Sequence, residues 1–167
     1  MNNVLYYSKI TLDNGSIWVL GTDKDIYYIG GYNSGFNDLS LWAKKKYPAY
    51  ELIGDDQILE TAVEEMKSYF DGKLTDFSFE VDYSYGTPFQ QKVWHALQEV
   101  PYGETVTYTD IANQIGRPDA VRAVAGAIGA NQLLIAIPCH RVIGKNGKLV
   151  GYRGGIEMKE SLLKLES

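Results

Sequence analysis

The hydrophobic pattern of this 167-residue chain changes its period once, near residues 83–86. Before that point the pattern has three short runs rich in β-branched and aromatic side chains, separated by turn sequences, at residues 4–10, 16–21 and 26–30. Helical spacing follows over residues 37–47 and 55–70, and residues 77–83 alternate as a last strand. The pattern predicts an α/β domain over residues 1–85.

After residue 86 the pattern is mainly helical. In GTPFQQKVWHALQEV, Thr87 and Gln90 have the spacing of a capping box and Pro88 suits the first helical position. Two short helices, YTDIANQI and PDAVRAVAGAIGA, are joined by a Gly-Arg turn, which is typical of a helix-turn-helix. A last helix is expected over residues 156–165. The chain therefore has a second predicted domain, over residues 86–167.

The second helix of that pair has an unusual face. Opposite its core stripe lie small side chains and one cation, at Arg122, Ala123, Gly126, Ala127, Gly129 and Ala130. An interior glycine costs a helix roughly 1 kcal/mol relative to alanine, so two on one face indicate close approach of another molecule or helix. Tight packing on a neighbouring helix is one explanation. A lone arginine among small residues favours a groove lined with phosphates.

Charge and cysteine content narrow the class of protein. Residues 1–85 have seven Lys and Arg against fourteen Asp and Glu, whereas residues 86–167 have nine against seven, so the net charge of −5 divides into −7 and +2. The basic half is compatible with DNA contact. The chain lacks an apolar run of eighteen residues, and its N-terminus does not read as a secretion signal. One cysteine excludes an internal disulfide and a multi-cysteine zinc site, so a reduced, cytoplasmic protein without a metal is expected.

That single cysteine, Cys139, is followed by one of only two histidines, His140. A free cysteine is usually buried and inert, and that reading stays open. A nucleophilic thiol needs a base or positive neighbour. Because consecutive side chains of an extended segment point to opposite faces, a water between imidazole and sulfur is expected. On the last helix, Glu160 falls on an apolar stripe and is predicted to hold the other imidazole nitrogen.

Three stretches of the second half carry distinctive motifs, GTPFQQKVW…VPYGETVTYTDIA, RAVAGAIGAN and IPCHRVIGKNGKLVGYRGG. Together they closely resemble the O6-alkylguanine-DNA alkyltransferases. The first half resembles that family in its length and in its order of strands before helices. The resemblance implies a ribonuclease H-like α/β domain followed by a mainly helical DNA-binding domain with a helix-turn-helix.

The resemblance also implies a function in DNA repair. Cys139 would accept the alkyl group from the O6 atom of guanine in double-stranded DNA, once per chain and without a cofactor, because a thioether has no good leaving group. His140 and Glu160 would activate the thiol through a water, and Asn131 would order the segment. The helix with Ala123 and Gly126 would enter the minor groove of DNA. Residues with further implied roles are Arg122, which fills the gap left by the extruded nucleotide, Tyr108, which helps to turn it out, and Tyr152, Arg153 and Gly154, which line the pocket.

Two positions depart from the family pattern. Gln132 stands where the family usually has proline, and Leu134 replaces a pocket-wall proline of some members, so both bear on which alkyl groups fit.

Three other functions compete with alkyl transfer. A DNA-binding lesion sensor without transfer would lack the cysteine. A transcription regulator would need several base-reading side chains on its recognition helix. A cysteine hydrolase would need an oxyanion hole. The chain is expected to act as a monomer, away from membranes.

Overall fold

The computed structural model describes residues 3–167, and this part of the chain divides into two units. The first unit ends at Asp82 and the second comprises Tyr83–Ser167. No helix within residues 3–167 is long and apolar enough to cross a membrane.

The first unit contains a five-stranded sheet in the order β4-β1-β2-β3-β5. Its strands are β1 (Val4–Leu12), β2 (Gly15–Gly21), β3 (Asp25–Ile29), β4 (Glu51–Gly54) and β5 (Glu80–Val81). β1, β2 and β3 pair antiparallel, as expected for runs joined by tight turns, while β4 is parallel to β1 and β5 is parallel to β3. β4 was not predicted, because its four residues show little alternation and lie mostly exposed.

Two helices accompany this sheet, α1 (Phe36–Lys46) and α2 (Glu60–Phe70). The apolar core includes Leu39 and Ala43 of α1 together with residues of the sheet. α2 starts five residues later than its periodicity predicts. The reason is local, because the Asp55 carboxylate accepts hydrogen bonds from the backbone N–H groups of Gln57 and Ile58, both at 3.0 Å, and so holds a turn ahead of the helix.

The second unit is mainly helical. Its helices are α3 (Pro88–Gln98), α4 (Tyr108–Gln114), α5 (Val121–Gly129) and α6 (Ile156–Leu165). The predicted capping box is confirmed, since Thr87 Oγ1 accepts from Gln90 N at 3.1 Å and Gln90 Oε1 accepts from Thr87 N at 3.0 Å. Two short parallel strands, β6 (Val106–Thr107) and β7 (Val142–Ile143), connect the start of α4 to the segment that follows Cys139.

A buried tryptophan fixes α5 against α3. The indole Nε1 of Trp94, a fully buried residue of α3, donates to the backbone carbonyl of Ala127 on α5 at 2.8 Å. The contact anchors the C-terminal half of α5 while leaving its other face open.

We expect Trp94→Phe to lower the free energy of unfolding by about 1–2 kcal/mol, because a buried hydrogen bond and part of the ring contact are lost. Urea denaturation followed by circular dichroism measures this change. An unaltered unfolding midpoint would show that the indole hydrogen bond does not hold the helix pair together.

Candidate active site

The backbone around Cys139 turns sharply and presents the thiol inward. Pro138 has φ −78° and ψ 62°, an inverse γ-turn in which Cys139 N donates to Ile137 O at 2.7 Å. Proline suits this position because its ring already holds φ near the required value. Cys139 then starts a 3-10 turn that ends at Arg141, and it is 4% exposed. The prediction that this segment is extended is therefore wrong.

Asn131 holds the same segment from the other side. Its Nδ2 donates to Ile137 O at 3.0 Å and to Cys139 Sγ at 3.2 Å, and its Oδ1 accepts from Leu133 N at 2.9 Å. The intervening Ile135 has φ 74°, an unfavourable conformation for a β-branched residue. The fully buried Asn131 amide thus links Leu133, Ile137 and Cys139 through three hydrogen bonds.

His140 belongs to a buried ionic network. Its Nε2 lies 2.7 Å from Glu166 Oε2, and Arg141 donates to both oxygens of the same carboxylate, from Nε at 2.8 Å and from Nη2 at 3.0 Å. Arg141 Nη1 also donates to Val100 O at 2.6 Å. Because an ionised carboxylate only accepts, the imidazole proton lies on Nε2 and Nδ1 keeps its lone pair. Within residues 3–167, Nδ1 has no hydrogen-bond partner.

The carboxylate beside His140 is Glu166, so the prediction of Glu160 is corrected. Glu160 lies exposed on α6, whereas Glu166 directly follows that helix and is buried. The error is one of helical phase. The predicted stripe starts at Ile156, which is 38% exposed, while the buried face of α6 comprises Met158, Lys159 and Leu162. That face continues at helical spacing to Glu166. This spacing of the buried side chains is the feature of the sequence that points to Glu166 rather than Glu160.

Burial controls the protonation of both groups. Removal from water raises the pKa of the Cys139 thiol to about 11, although the Asn131 hydrogen bond and the positive charges of Lys159 and Arg153 act in the opposite direction. Burial also lowers the pKa of His140, against the effect of Glu166. At neutral pH the pair therefore consists of a thiol and a neutral imidazole with an open Nδ1.

A cavity of about 240 Å³ lies over the thiol. Its walls come from α4, α5, the Cys139 turn and the loop before α6, and they include Tyr108, Ala125, Ile128, Gly129, Cys139, Gly151, Tyr152 and Arg153. Arg153 crosses from the loop to the end of α5, where its Nε and Nη2 donate to Gly129 O at 2.9 and 2.6 Å. Within residues 3–167, no three His, Cys, Asp or Glu side chains form a group that could hold a metal ion.

Gly154 does not line this cavity, which corrects its predicted place. A Cβ at Gly154 would lie 2.7 Å from Tyr152 Cε2 and 2.8 Å from Met158 Sδ. Glycine suits this position because the Tyr152 and Met158 side chains occupy the space that a Cβ would take. Gln132 and Leu134, the two positions that depart from the family pattern, are also not among the residues that line the cavity, and Leu134 is buried.

The outer face of α5 is slim and open. Arg122, Ala123, Gly126 and Gly129 are exposed, and a Cβ at either glycine would meet no atom within 4 Å. Tight packing inside the described chain therefore does not explain these glycines. Ala127 was predicted on this face but is buried, because the helix turns it toward Trp94.

Two family models match the chain. The description "6-O-methylguanine DNA methyltransferase, ribonuclease-like domain" covers residues 5–83, and "6-O-methylguanine DNA methyltransferase, DNA binding domain" covers residues 88–167. A curated relative, the inducible methylated-DNA–protein-cysteine methyltransferase of Bacillus subtilis (strain 168), is 49% identical over 162 residues, which is 97% of this chain and 90% of the relative. The methylated-DNA–protein-cysteine methyltransferase of Mycobacterium bovis is 56% identical over 139 residues, 83% of this chain and 84% of the relative.

Solved structures of proteins with related names are similar to this chain over nearly its whole length. The crystal structure of Mycobacterium tuberculosis O6-methylguanine methyltransferase matches with a TM-score of 0.83 and 40% identity over 97% of this chain and 92% of that one. The crystal structure of Mycobacterium tuberculosis OGT in complex with DNA has the same TM-score and identity, over 96% and 92%. The predicted fold, a ribonuclease-like α/β domain followed by a helical DNA-binding domain, is confirmed. The chain belongs to the 6-O-methylguanine DNA methyltransferase family.

Proposed function

We propose that this protein repairs DNA by transferring the alkyl group of O6-alkylguanine to its own Cys139. The observation that carries this function is a buried thiol, held by Asn131, at the wall of a cavity and beside an imidazole with an open Nδ1. The relatives named above act on methylated DNA with a protein cysteine as acceptor, and one relative is solved in complex with DNA. We also propose that the chain acts as a monomer in the cytoplasm, where a lone thiol stays reduced.

The transfer requires that the Cys139 proton leave as the bond to carbon forms. In our proposal that proton passes through a bridging water to His140 Nδ1, and the Glu166 carboxylate stabilises the imidazolium. The sulfur attacks the alkyl carbon, the carbon–O6 bond breaks, and its electron pair stays on the guanine. The imidazolium of His140 returns its proton through water to the guanine, and the unmodified nucleotide, still joined to its strand, leaves the cavity. The final S–C bond is a thioether, so the thiol is consumed.

The base must leave the duplex before it can reach the thiol. Extrusion of a nucleotide costs a few kcal/mol, and the gap it leaves must be filled. The slim face of α5 suits the minor groove, and Arg122 is the one long side chain on it. Tyr108 begins α4, lines the cavity and is half-buried, which supports a role in turning the nucleotide toward Cys139.

The competing functions are less well supported. A transcription regulator reads bases with several polar side chains, whereas the exposed face of α5 is formed by Arg122, Ala123, Gly126 and Gly129. A lesion sensor has no use for a thiol ordered by Asn131 beside a buried histidine.

We expect Arg122→Ala to slow repair of methylated duplex DNA at least about tenfold, because a residue that fills the vacated stack acts on the extrusion cost. Reaction with the free base O6-methylguanine should change less than about twofold, since a free base needs no extrusion. Rates on both substrates, measured by the mass gain of the protein, check this. Equal losses of rate on both substrates would show that Arg122 acts on the cavity or on the stability of the fold, and not on extrusion.

Glu166→Gln should slow transfer and lower the free energy of unfolding by about 3–5 kcal/mol, because it leaves the buried Arg141 guanidinium without its counter-charge. Glu160→Gln on the same helix is the matched control, and its exposed side chain should change the free energy of unfolding by less than about 0.5 kcal/mol. Denaturant unfolding and single-turnover kinetics test both. If Glu160→Gln were the more damaging change, the network around His140 would be misassigned.

Each molecule should repair one lesion. With methylated duplex DNA in excess, the amount of repaired DNA should reach a plateau of one alkyl group per active chain, and intact mass should place that group on Cys139. Cys139→Ala should gain no mass while it still binds the duplex. Repair well above one group per chain would identify a turning-over catalyst instead.

A further inference from the structure

An arginine side chain joins the loop before α6 to the end of α5. Arg153 Nε and Nη2 donate to the Gly129 carbonyl, at 2.9 and 2.6 Å. Gly129 is the last residue of α5, where backbone carbonyls lack partners within the helix and the helix dipole favours a cation. Both residues also line the cavity over Cys139. The Arg153 side chain, although exposed, therefore forms part of the cavity wall.

Gln132 holds the same guanidinium from the segment that follows α5. Because a guanidinium only donates, the Gln132 side chain presents its amide oxygen to Arg153, and that oxygen accepts from Nη1 at 2.8 Å and from Nε at 3.0 Å. The Gln132 backbone N–H also donates to Tyr85 OH at 3.4 Å. Proline, the residue that the family usually has at this position, offers neither a side-chain acceptor nor an N–H group. The departure from the family pattern thus makes the contact between Gln132 and Arg153 possible.

The guanidinium of Arg153 lies near the reactive sulfur. Burial raises the pKa of Cys139, and the charge of Arg153 is close enough to act in the opposite direction. An alkyl group on the O6 atom of a bound guanine has to reach this sulfur, so it enters the part of the cavity that Arg153 borders. A free arginine side chain has many rotamers, whereas one bound through three nitrogens has few. The bonds to Gly129 and Gln132 therefore decide whether this wall is fixed.

We propose that Gln132 and Arg153 form a latch that fixes the width of the cavity beside Cys139 and so limits the size of the alkyl group that the site accepts. This inference rests on the proposed function. Gln132 is a positioning residue, since it is not among the residues that line the cavity and acts through Arg153. A methyl group needs no change in the wall. A wider group such as benzyl requires Arg153 to give up hydrogen bonds, which disfavours its entry.

Substitutions at Gln132 separate the latch from the rest of the cavity. Gln132→Leu removes the acceptor at similar volume, whereas Gln132→Glu keeps an oxygen acceptor and pairs its charge with that of Arg153. Gln114→Leu makes the same change at an exposed glutamine of α4 that donates to Glu99, and it is the matched control. Arg153→Ala removes the other half of the latch.

The readout is a ratio of two alkylation rates of the single cysteine, with iodoacetanilide as the wide reagent and iodoacetamide as the narrow one. Both reagents react with the thiolate and release iodide, so the ratio cancels any change in the thiolate population. This measurement needs no DNA. The corresponding ratio for substrates compares O6-benzylguanine with O6-methylguanine, both as free bases.

We expect Gln132→Leu to raise both ratios at least about threefold, because the loss of one or two hydrogen bonds changes an equilibrium by that factor or more. Gln132→Glu and Gln114→Leu should stay within about 1.5-fold of the wild-type ratios. In an Arg153→Ala background, Gln132→Leu should change the ratios by less than about 1.5-fold, because the two residues act as one unit. Unchanged ratios in folded Gln132→Leu, or an equal effect in both backgrounds, would overturn the inference.

A measurement on the wild type tests the latch even if the variants do not fold. Arg153 Nε–H donates to two oxygens, whereas Arg122 is exposed on the outer face of α5. By NMR, the Nε–H proton of Arg153 should exchange with water at least about fivefold more slowly than that of Arg122. Equal exchange rates would contradict the latch. If the reagent ratios shift as expected while methylated duplex DNA transfers nothing to Cys139, the proposed function fails and the latch stands.

Discussion

The site depends on one carboxylate, that of Glu166, which binds a histidine and an arginine at the same time. Arg141 fixes both oxygens of the carboxylate, and Glu166 Oε2 in turn fixes the tautomer of His140. A buried histidine alone would be neutral with either nitrogen protonated, whereas next to an ionised carboxylate it must protonate Nε2. The open Nδ1 follows from this contact. The Val100 carbonyl, beyond the end of α3, anchors the other end of Arg141.

The second constraint is that α5 serves two surfaces. Its inner side is held by the Trp94 hydrogen bond to the Ala127 carbonyl, and its C-terminal end is held by Arg153, which donates to the Gly129 carbonyl. Its outer side has no bulky side chain apart from Arg122. A helix fixed in this way can approach a duplex closely without losing its position over the cavity. The same helix thus forms the proposed DNA surface and one wall of the pocket.

Burial of the thiol sets up a balance between protection and reactivity. A pKa of about 11 keeps Cys139 protonated at neutral pH, which protects it from solvent oxidants and electrophiles. The Asn131 amide and the Lys159 ammonium act against that burial, and His140 Nδ1 is open to receive the proton. The thiol therefore becomes reactive through its neighbours at the cavity, and it need not be ionised beforehand.

Local sequence determined the elements whose cause is local. The capping box at Thr87 and Gln90, the helix-turn-helix, and the adjacency of Cys139 and His140 all follow from neighbouring residues and needed no knowledge of the fold. The tertiary structure decided the rest, because it sets the phase of each helix against its neighbours. A rotation of α6 by part of a turn distinguishes Glu166 from Glu160 and buries Lys159. The side chains of Tyr152 and Met158 leave no room for a Cβ at Gly154. The amino-acid pattern of a short amphipathic helix allows more than one buried face, and only contacts with distant residues such as Arg141 select the one that is used.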